Sequence, residues 1–202
     1  MPVAVIGMGL SPTDLTPRHR AIIGSADIVV GGRRHLAGFE DLPAEKWPIS
    51  RDLDGLMAAI RDVMAEKAVV VLASGDPLFF GIGARLIDDL GSENVAIHPN
   101  ISSVAAAFAR IRMPWQDARV LSVHGRFDEP ALLEALSRYD KFAVLTDPNH
   151  TPSWLAGFLK THRISGFVMW VFERLGAEDE TVHAFKDAAE AEGRMFRDPN
   201  LV

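Results

Sequence analysis

Short apolar runs alternate with helical patterns along the whole chain. Val3–Gly7 is a continuous apolar run closed by glycine, the pattern of a strand buried on both faces. Thr16-Pro17 reads as an N-cap followed by proline at the first helical position, opening a helix to about Ser25. Asp27–Gly31 predicts a second strand, stopped by Gly31-Gly32. Leu53–Glu66 is amphipathic, with Leu53, Leu56, Met57, Ile60, Val63 and Met64 on one side. Ala68–Ala73 is the strongest strand pattern and runs straight into Ser74-Gly-Asp-Pro77. A helix over Gly81–Leu90, a strand over Val95–His98 and a helix over Ser102–Ile111 complete the first half.

Strands that alternate with helices pair in parallel, so the pattern predicts an α/β fold. Met113-Pro114-Trp115 interrupts it, which places a domain boundary there and gives two domains, 1–113 and 114–202. The second half alternates again through Arg119–Val123, Ala131–Arg138, Phe142–Thr146, Ser153–Thr161 and Phe167–Phe172. Thr181–Ala184 is positioned for an antiparallel hairpin with the strand before it, across a turn at Arg174–Glu180. The sheet expected in the second domain is therefore mixed. The Met and Phe of Phe167–Phe172 read as core, and His98 as packed on its strand.

Composition narrows the chemistry. The 202 residues include no Cys, which removes disulfides, thiolate metal sites and a cysteine nucleophile, and suits the reducing cytoplasm. A net charge of −6 argues against a nucleic-acid binder. No apolar stretch approaches the roughly 18 residues of a membrane span. The chain has neither G-x-x-x-x-G-K-[ST] nor a G-x-S-x-G elbow. Its histidines lack metal-ligand spacing, so no metal is expected.

In open α/β sheets, ligands bind beyond the carboxyl ends of strands. Four such ends stand out. Gly7-Met-Gly-Leu-Ser-Pro12 begins like a dinucleotide loop, but the third glycine is replaced by Pro12 and no acidic residue follows the second strand. Arg33 and Arg34 still allow an NADP reductase. Ser74-Gly-Asp-Pro-Leu-Phe-Phe-Gly81 offers the Asp76 carboxylate and two loop aromatics. Asp76 either accepts hydrogen bonds from a ligand or serves as an Asx-turn or capping residue. In Asn100-Ile-Ser-Ser103 a serine either caps the next helix or meets a ligand. In Ser122-Val-His-Gly-Arg-Phe127, His124 and Arg126 flank a glycine, as in an anion-binding corner or a solvated loop.

Taken in order along the chain, these loops resemble the tetrapyrrole methylases. Gly7–Thr16, Ala26–Arg34, Leu72–Gly83, Ser102-Ser103, Val123–Arg126, Leu145–Asp147 and Glu173–Leu175 carry the likeness. Gly31-Gly-Arg-Arg34 and His124-Gly-Arg126 are similar to the branch that methylates carbon 5 of a corrin precursor, cobalt-precorrin-7 or precorrin-6Y, in cobalamin biosynthesis. The resemblance implies two small α/β domains, the first mainly parallel and the second mixed, with a ligand cleft between them. It implies S-adenosylmethionine as cofactor, released as S-adenosylhomocysteine. It assigns that cofactor to Gly75, Asp76, Phe79, Ser102, Ser103, Leu145, Thr146, Arg174 and Leu175. It turns the first loop, Gly9 and Leu10, toward the tetrapyrrole substrate. The positive side chains of Arg33, Arg34 and Arg126 suit that substrate's carboxylates, and His124 is the expected acid/base group. Many members carry Gly-Pro-Gly where this chain has the bulkier Gly9-Leu10-Ser11. A homodimer and an association with a separate decarboxylating methyltransferase are the expected partners. The alternatives are a family methylase acting at another ring carbon and a non-catalytic module that hands tetrapyrroles on.

Overall fold

A computed structural model describes residues 2–123 and 127–202, so the expectations for His124 and Arg126 lie outside the described residues. The chain divides into two compact units, one ending at Ser102 and the other beginning at Ser103.

The first unit holds β1 (Val3–Gly7), α1 (Pro17–Gly24), β2 (Ile28–Gly31), α2 (Arg33–Leu36), β3 (Glu45–Pro48), α3 (Leu53–Val63), β4 (Val69–Ala73), α4 (Gly83–Leu90) and β5 (Val95–His98). Its strands form one sheet in the order β3-β2-β4-β1-β5. Every pairing is parallel. Alternate residues of the strands feed two cores. Val3, Val5, Val30 and Val71 meet Leu56, Met57, Ile60 and Leu86 of α3 and α4. Ile6, Val29, Val70 and Leu72 meet Leu15, Ile23 and Leu36 on the opposite face. Burial on both faces explains the unbroken apolar runs of β1 and β4. Each fully buried aliphatic side chain contributes about 1.5–3 kcal/mol. Thr16 caps α1 as expected, its side chain accepting from the His19 amide at 3.2 Å. His98 sits half-buried beside His19, ring centroids 6.3 Å apart.

Two elements here escape the hydrophobic pattern. β3 reads Glu-Lys-Trp-Pro and lies at the sheet edge, where charge and proline are tolerated. α2 is a single turn begun by two arginines.

The second unit holds α5 (Ser103–Arg110), β6 (Arg119–Ser122), α6 (Glu129–Arg138), β7 (Phe142–Leu145), α7 (Pro152–Thr161), β8 (Met169–Glu173), β9 (Thr181–Phe185) and β10 (Asn200–Leu201). Its sheet runs β6-β7-β10-β8-β9 and is mixed, with β6 and β7 parallel and the remaining pairs antiparallel. The expected β8–β9 hairpin is present. Leu132, Leu155, Phe158 and Leu159 of α6 and α7 cover Val144, Met169, Val171 and Phe185. Met169 and Phe172 are buried, as read from the pattern.

The division between units precedes the boundary placed at Met113–Trp115. The reason is the apolar face of α5. Ala107 and Phe108 line a cavity of about 360 Å³ together with Ala143, Trp170, Phe172 and Leu201 of the second sheet. Phe108 also stacks on Trp115, centroids 5.8 Å apart. The helix therefore belongs to the core that follows it. Among the described residues, no helix is long and apolar enough to cross a membrane, and no acidic or histidine cluster suits a metal ion.

Candidate functional site

In the first unit the loops after β1 and β4 leave adjacent central strands and are tied together. The Met8 amide donates to Ala73 O at 2.8 Å. Gly9 and Gly75 then exchange amide hydrogen bonds of 3.3 and 3.1 Å, an antiparallel bridge beyond the end of a parallel sheet. Both glycines occupy the left-handed region, Gly9 at φ 66° and Gly75 at φ 58°, which glycine adopts without steric cost. The first loop closes on Asp14, whose Oδ2 accepts from the Leu10 and Ser11 amides at 2.8 and 3.1 Å. Asn100, just after β5, donates from Nδ2 to Gly7 O at 2.9 Å and to Asp14 O at 3.2 Å. Its Oδ1 accepts from the Ile101 amide at 2.8 Å. One side chain thus fixes three loop segments.

Asp76 accepts from the Leu78 amide through Oδ1 at 2.9 Å, the Asx-turn arrangement. Its second oxygen has no partner among the described residues and can accept from a ligand hydroxyl. Leu78 and Phe80 stand 52 % and 59 % exposed, and Phe79 meets Phe80 edge-to-face at 5.2 Å. Such apolar groups in a loop suit a flat apolar ligand surface. Arg33 and Arg34 are exposed at the start of α2. Arg33 lines a cleft of about 380 Å³ with Glu40, Lys46 and Pro48. His35, next to Arg34, approaches Ser74 with Nε2 3.3 Å from Oγ. Burial, and then the Arg34 charge, lower the His35 pKa below its ordinary value, so the ring is neutral near pH 7.

In the second unit β6, β7 and β8 point the same way, so Ser122, Leu145 and Glu173 share one edge of the sheet. After β7, the buried Asp147 accepts through Oδ1 from the amides of Asn149 and His150 at 2.8 and 2.7 Å. His150 Nδ1 lies 3.1 Å from the same oxygen, and its ring packs between Phe127 and Trp154.

After β8, Glu173 is 4 % exposed, although it carries a charge. Its Oε1 accepts from the Arg197 amide at 2.7 Å and its Oε2 from Arg197 Nε at 3.1 Å. His183 Nε2 lies 3.4 Å away. Burial opposes ionisation of Glu173, but the Arg197 amide, His183 and the Arg197 guanidinium outweigh it and hold the carboxyl below its ordinary range. Arg174, at φ 53°, turns its guanidinium to Asp179, Nε to Oδ1 2.9 Å.

The first unit therefore brings Gly9, Leu10, Arg33, Arg34, Gly75, Asp76, Phe79 and Ser102 to the carboxyl edge of its sheet. The second brings Leu145, Thr146, Arg174 and Leu175 to one edge of its own, and Ser103 opens α5. Residue patterns alone missed Asp14, Asn100 and Arg197 as supports of these loops. A lone Asn before a helix start was the only available signal.

Strand-end loops of this kind, glycine-bridged and carrying the Asp76 carboxylate, define an α/β protein that binds a small organic ligand. The chain belongs to the tetrapyrrole (corrin/porphyrin) methylases, whose family model matches residues 2–189. It is 36 % identical to the cobalt-precorrin-7 C(5)-methyltransferase of Salmonella typhimurium, over 90 % of this chain and 89 % of that one. The precorrin-6Y methylase of Archaeoglobus fulgidus has a similar structure, with a TM-score of 0.73 and 25 % identity over 99 % of this chain and 95 % of that one. The fold is also that of the uroporphyrin-III C-methyltransferase of Thermus thermophilus, solved with S-adenosylhomocysteine, at a TM-score of 0.78, 23 % identity, and coverage of 100 % and 95 %.

Proposed function

We propose that the protein transfers the methyl group of S-adenosylmethionine to carbon 5 of a corrin precursor, cobalt-precorrin-7 or precorrin-6Y, in cobalamin biosynthesis. The likeness to the Salmonella enzyme carries this reading, because it runs nearly the length of both units. The loops fit the cofactor. A Cβ at Gly7 or Gly9 would fall 2.5 or 2.6 Å from its nearest neighbour, so these loops are built as close as backbone allows. The second Asp76 oxygen suits a ribose hydroxyl or offsets a positive sulfur.

Gly75, Asp76, Phe79, Ser102, Ser103, Leu145, Thr146, Arg174 and Leu175 hold the cofactor in this reading. When bound, the sulfonium supplies an electrophilic methyl group. The chain's task is to align the acceptor carbon and exclude water. The conjugated macrocycle provides the nucleophilic carbon, so no strong base is required, and His124 is the side chain suited to take up a proton near pH 7. Gly9, Leu10, Arg33, Arg34 and Arg126 face the substrate. We place the reaction in the cytoplasm, in a homodimer that associates with a separate decarboxylating methyltransferase, on the family resemblance and the cysteine-free composition.

The test is turnover of a cobalt-precorrin mixture with carbon-13 methyl-labelled cofactor, followed by mass and NMR. A gain of one methylene unit at carbon 5 is expected. Label at another ring carbon would reassign the position, and binding without any gain would make the protein a carrier. A second outcome concerns the substrate carboxylates. Arg126→Ala should raise the KM for the macrocycle by about tenfold or more while leaving the Kd for S-adenosylhomocysteine nearly unchanged, since a fork-shaped guanidinium loses a charge-assisted carboxylate contact. Equal effects on both constants would count against that role.

A further inference from the structure

We propose that Asn200 is a positioning residue for the cofactor site, locking Thr146 so that this residue meets the ligand through its main chain. The inference rests on the reading that the loops after β7 and β8 hold the cofactor. β10 is only two residues long, yet it fills the gap between β7 and β8. Leu201 pairs with Leu145 on one side and Phe172 on the other, and Asn200 pairs with Glu173. The same segment therefore reaches both loops.

Five hydrogen bonds do the fixing. The Arg174 amide donates to Pro199 O at 2.8 Å. Thr146 Oγ1 lies 2.7 Å from both the main-chain O and the Oδ1 of Asn200. Asn200 Nδ2 donates to Asp198 Oδ1 at 2.9 Å and to Arg197 O at 3.3 Å. The last pair decides the amide orientation. Both partners only accept, so the nitrogen must face them and Oδ1 must face Thr146. The single hydroxyl proton of Thr146 is then held between two oxygens of one residue. That fixes χ1 of a β-branched side chain, and no donor remains on it for a ligand.

The test uses the intact protein and calorimetry with S-adenosylhomocysteine. Thr146→Val should raise its Kd about tenfold, which is about 1.4 kcal/mol, and Asn200→Ala, whose main-chain O still accepts from Thr146, about threefold. The double variant should be no weaker than Thr146→Val alone, because that change already removes both hydrogen bonds from Thr146 to Asn200. Thr146→Ser keeps the hydroxyl and should bind within about twofold of wild type. The KM for the macrocycle should not follow these changes. A fall in Tm with an unchanged Kd would reduce Asn200 to a structural role and overturn the proposal. Should Asn200→Ala fail to fold, the Thr146→Val and Thr146→Ser pair decides alone. Leu175→Trp separates the two levels. If it weakens binding and the Asn200 and Thr146 variants do not, the site reading stands and this inference falls. If Leu175→Trp has no effect while Asp76→Ala weakens binding, the second-unit loops do not hold the cofactor, and both fall.

Discussion

Replacing Gly7 by alanine should remove S-adenosylhomocysteine binding while most of the protein still folds. The added Cβ would stand 2.5 Å from Gly75 O and 2.9 Å from both the N and the Cβ of Asn100. Two of these are main-chain atoms, so no side-chain rotation relieves them. Asn100 cannot retreat easily either, since its own amide is bonded to Gly7 O at 2.9 Å. Relief must come from moving the Gly75 turn, and that movement breaks the Gly9–Gly75 bridge. We expect a loss of about 2–3 kcal/mol in stability, typical of overpacking against rigid neighbours. Binding should fall at least about 100-fold, because the displaced turn carries Asp76. Gly24→Ala, at the end of α1 with nothing within 4 Å of the new Cβ, is the control and should cost neither stability nor binding. Calorimetry and thermal unfolding of both variants check this. A near-normal Kd in Gly7→Ala would mean that the bridged loops are not where the ligand sits.

The second large effect is expected at Glu173. Glu173→Gln keeps the size of the side chain but removes the charge that Arg197 and His183 surround. Breaking a buried charged pair in this way should cost about 2–3 kcal/mol at pH 7. The pH dependence has a definite sign. The folded carboxyl lies below the ordinary value of 4.5, so its stabilisation is complete above that value. It is lost as the pH falls through the lower, folded value. Wild type and Glu173→Gln should therefore differ most near neutrality and converge below about pH 4.5. Glu180 behaves alike, its carboxyl lowered first by the Arg110 guanidinium, so both carboxylates of the second unit lose their stabilisation in acid. Trp115, Trp154 and Trp170 all lie in that unit and report its unfolding by fluorescence. A gap between the two proteins that stays constant from pH 7 to pH 3 would contradict this account.

Much of the architecture was legible because the relevant signals are local. The apolar runs of β1 and β4, the Thr16-Pro17 cap and the β8–β9 hairpin each depend on neighbours a few residues away. The Gly-Asp-Pro turn was visible for the same reason, although its ligand role needed the other loops beside it. What escaped was set by distant contacts. Asn100 meets Gly7 across 93 residues, and Thr146 meets Asn200 across 54. No periodicity announces a two-residue strand such as β10, or an edge strand written Glu-Lys-Trp-Pro. Met113-Pro114-Trp115 is a local break in the pattern, whereas the unit that α5 joins is decided by which sheet covers Ala107 and Phe108.

The Gly9–Gly75 bridge has a consequence for how such a protein acquires a new substrate. Two loops joined through their main chains form one inherited frame, and a change in either backbone disturbs both. Novelty is therefore confined to side chains that project from the frame without supporting it, here Leu10, Leu78 and Phe80. A library randomised at those three positions should diversify substrate preference while sparing the shared cofactor, whereas one aimed at Gly7, Gly9 or Gly75 should return mostly inactive chains.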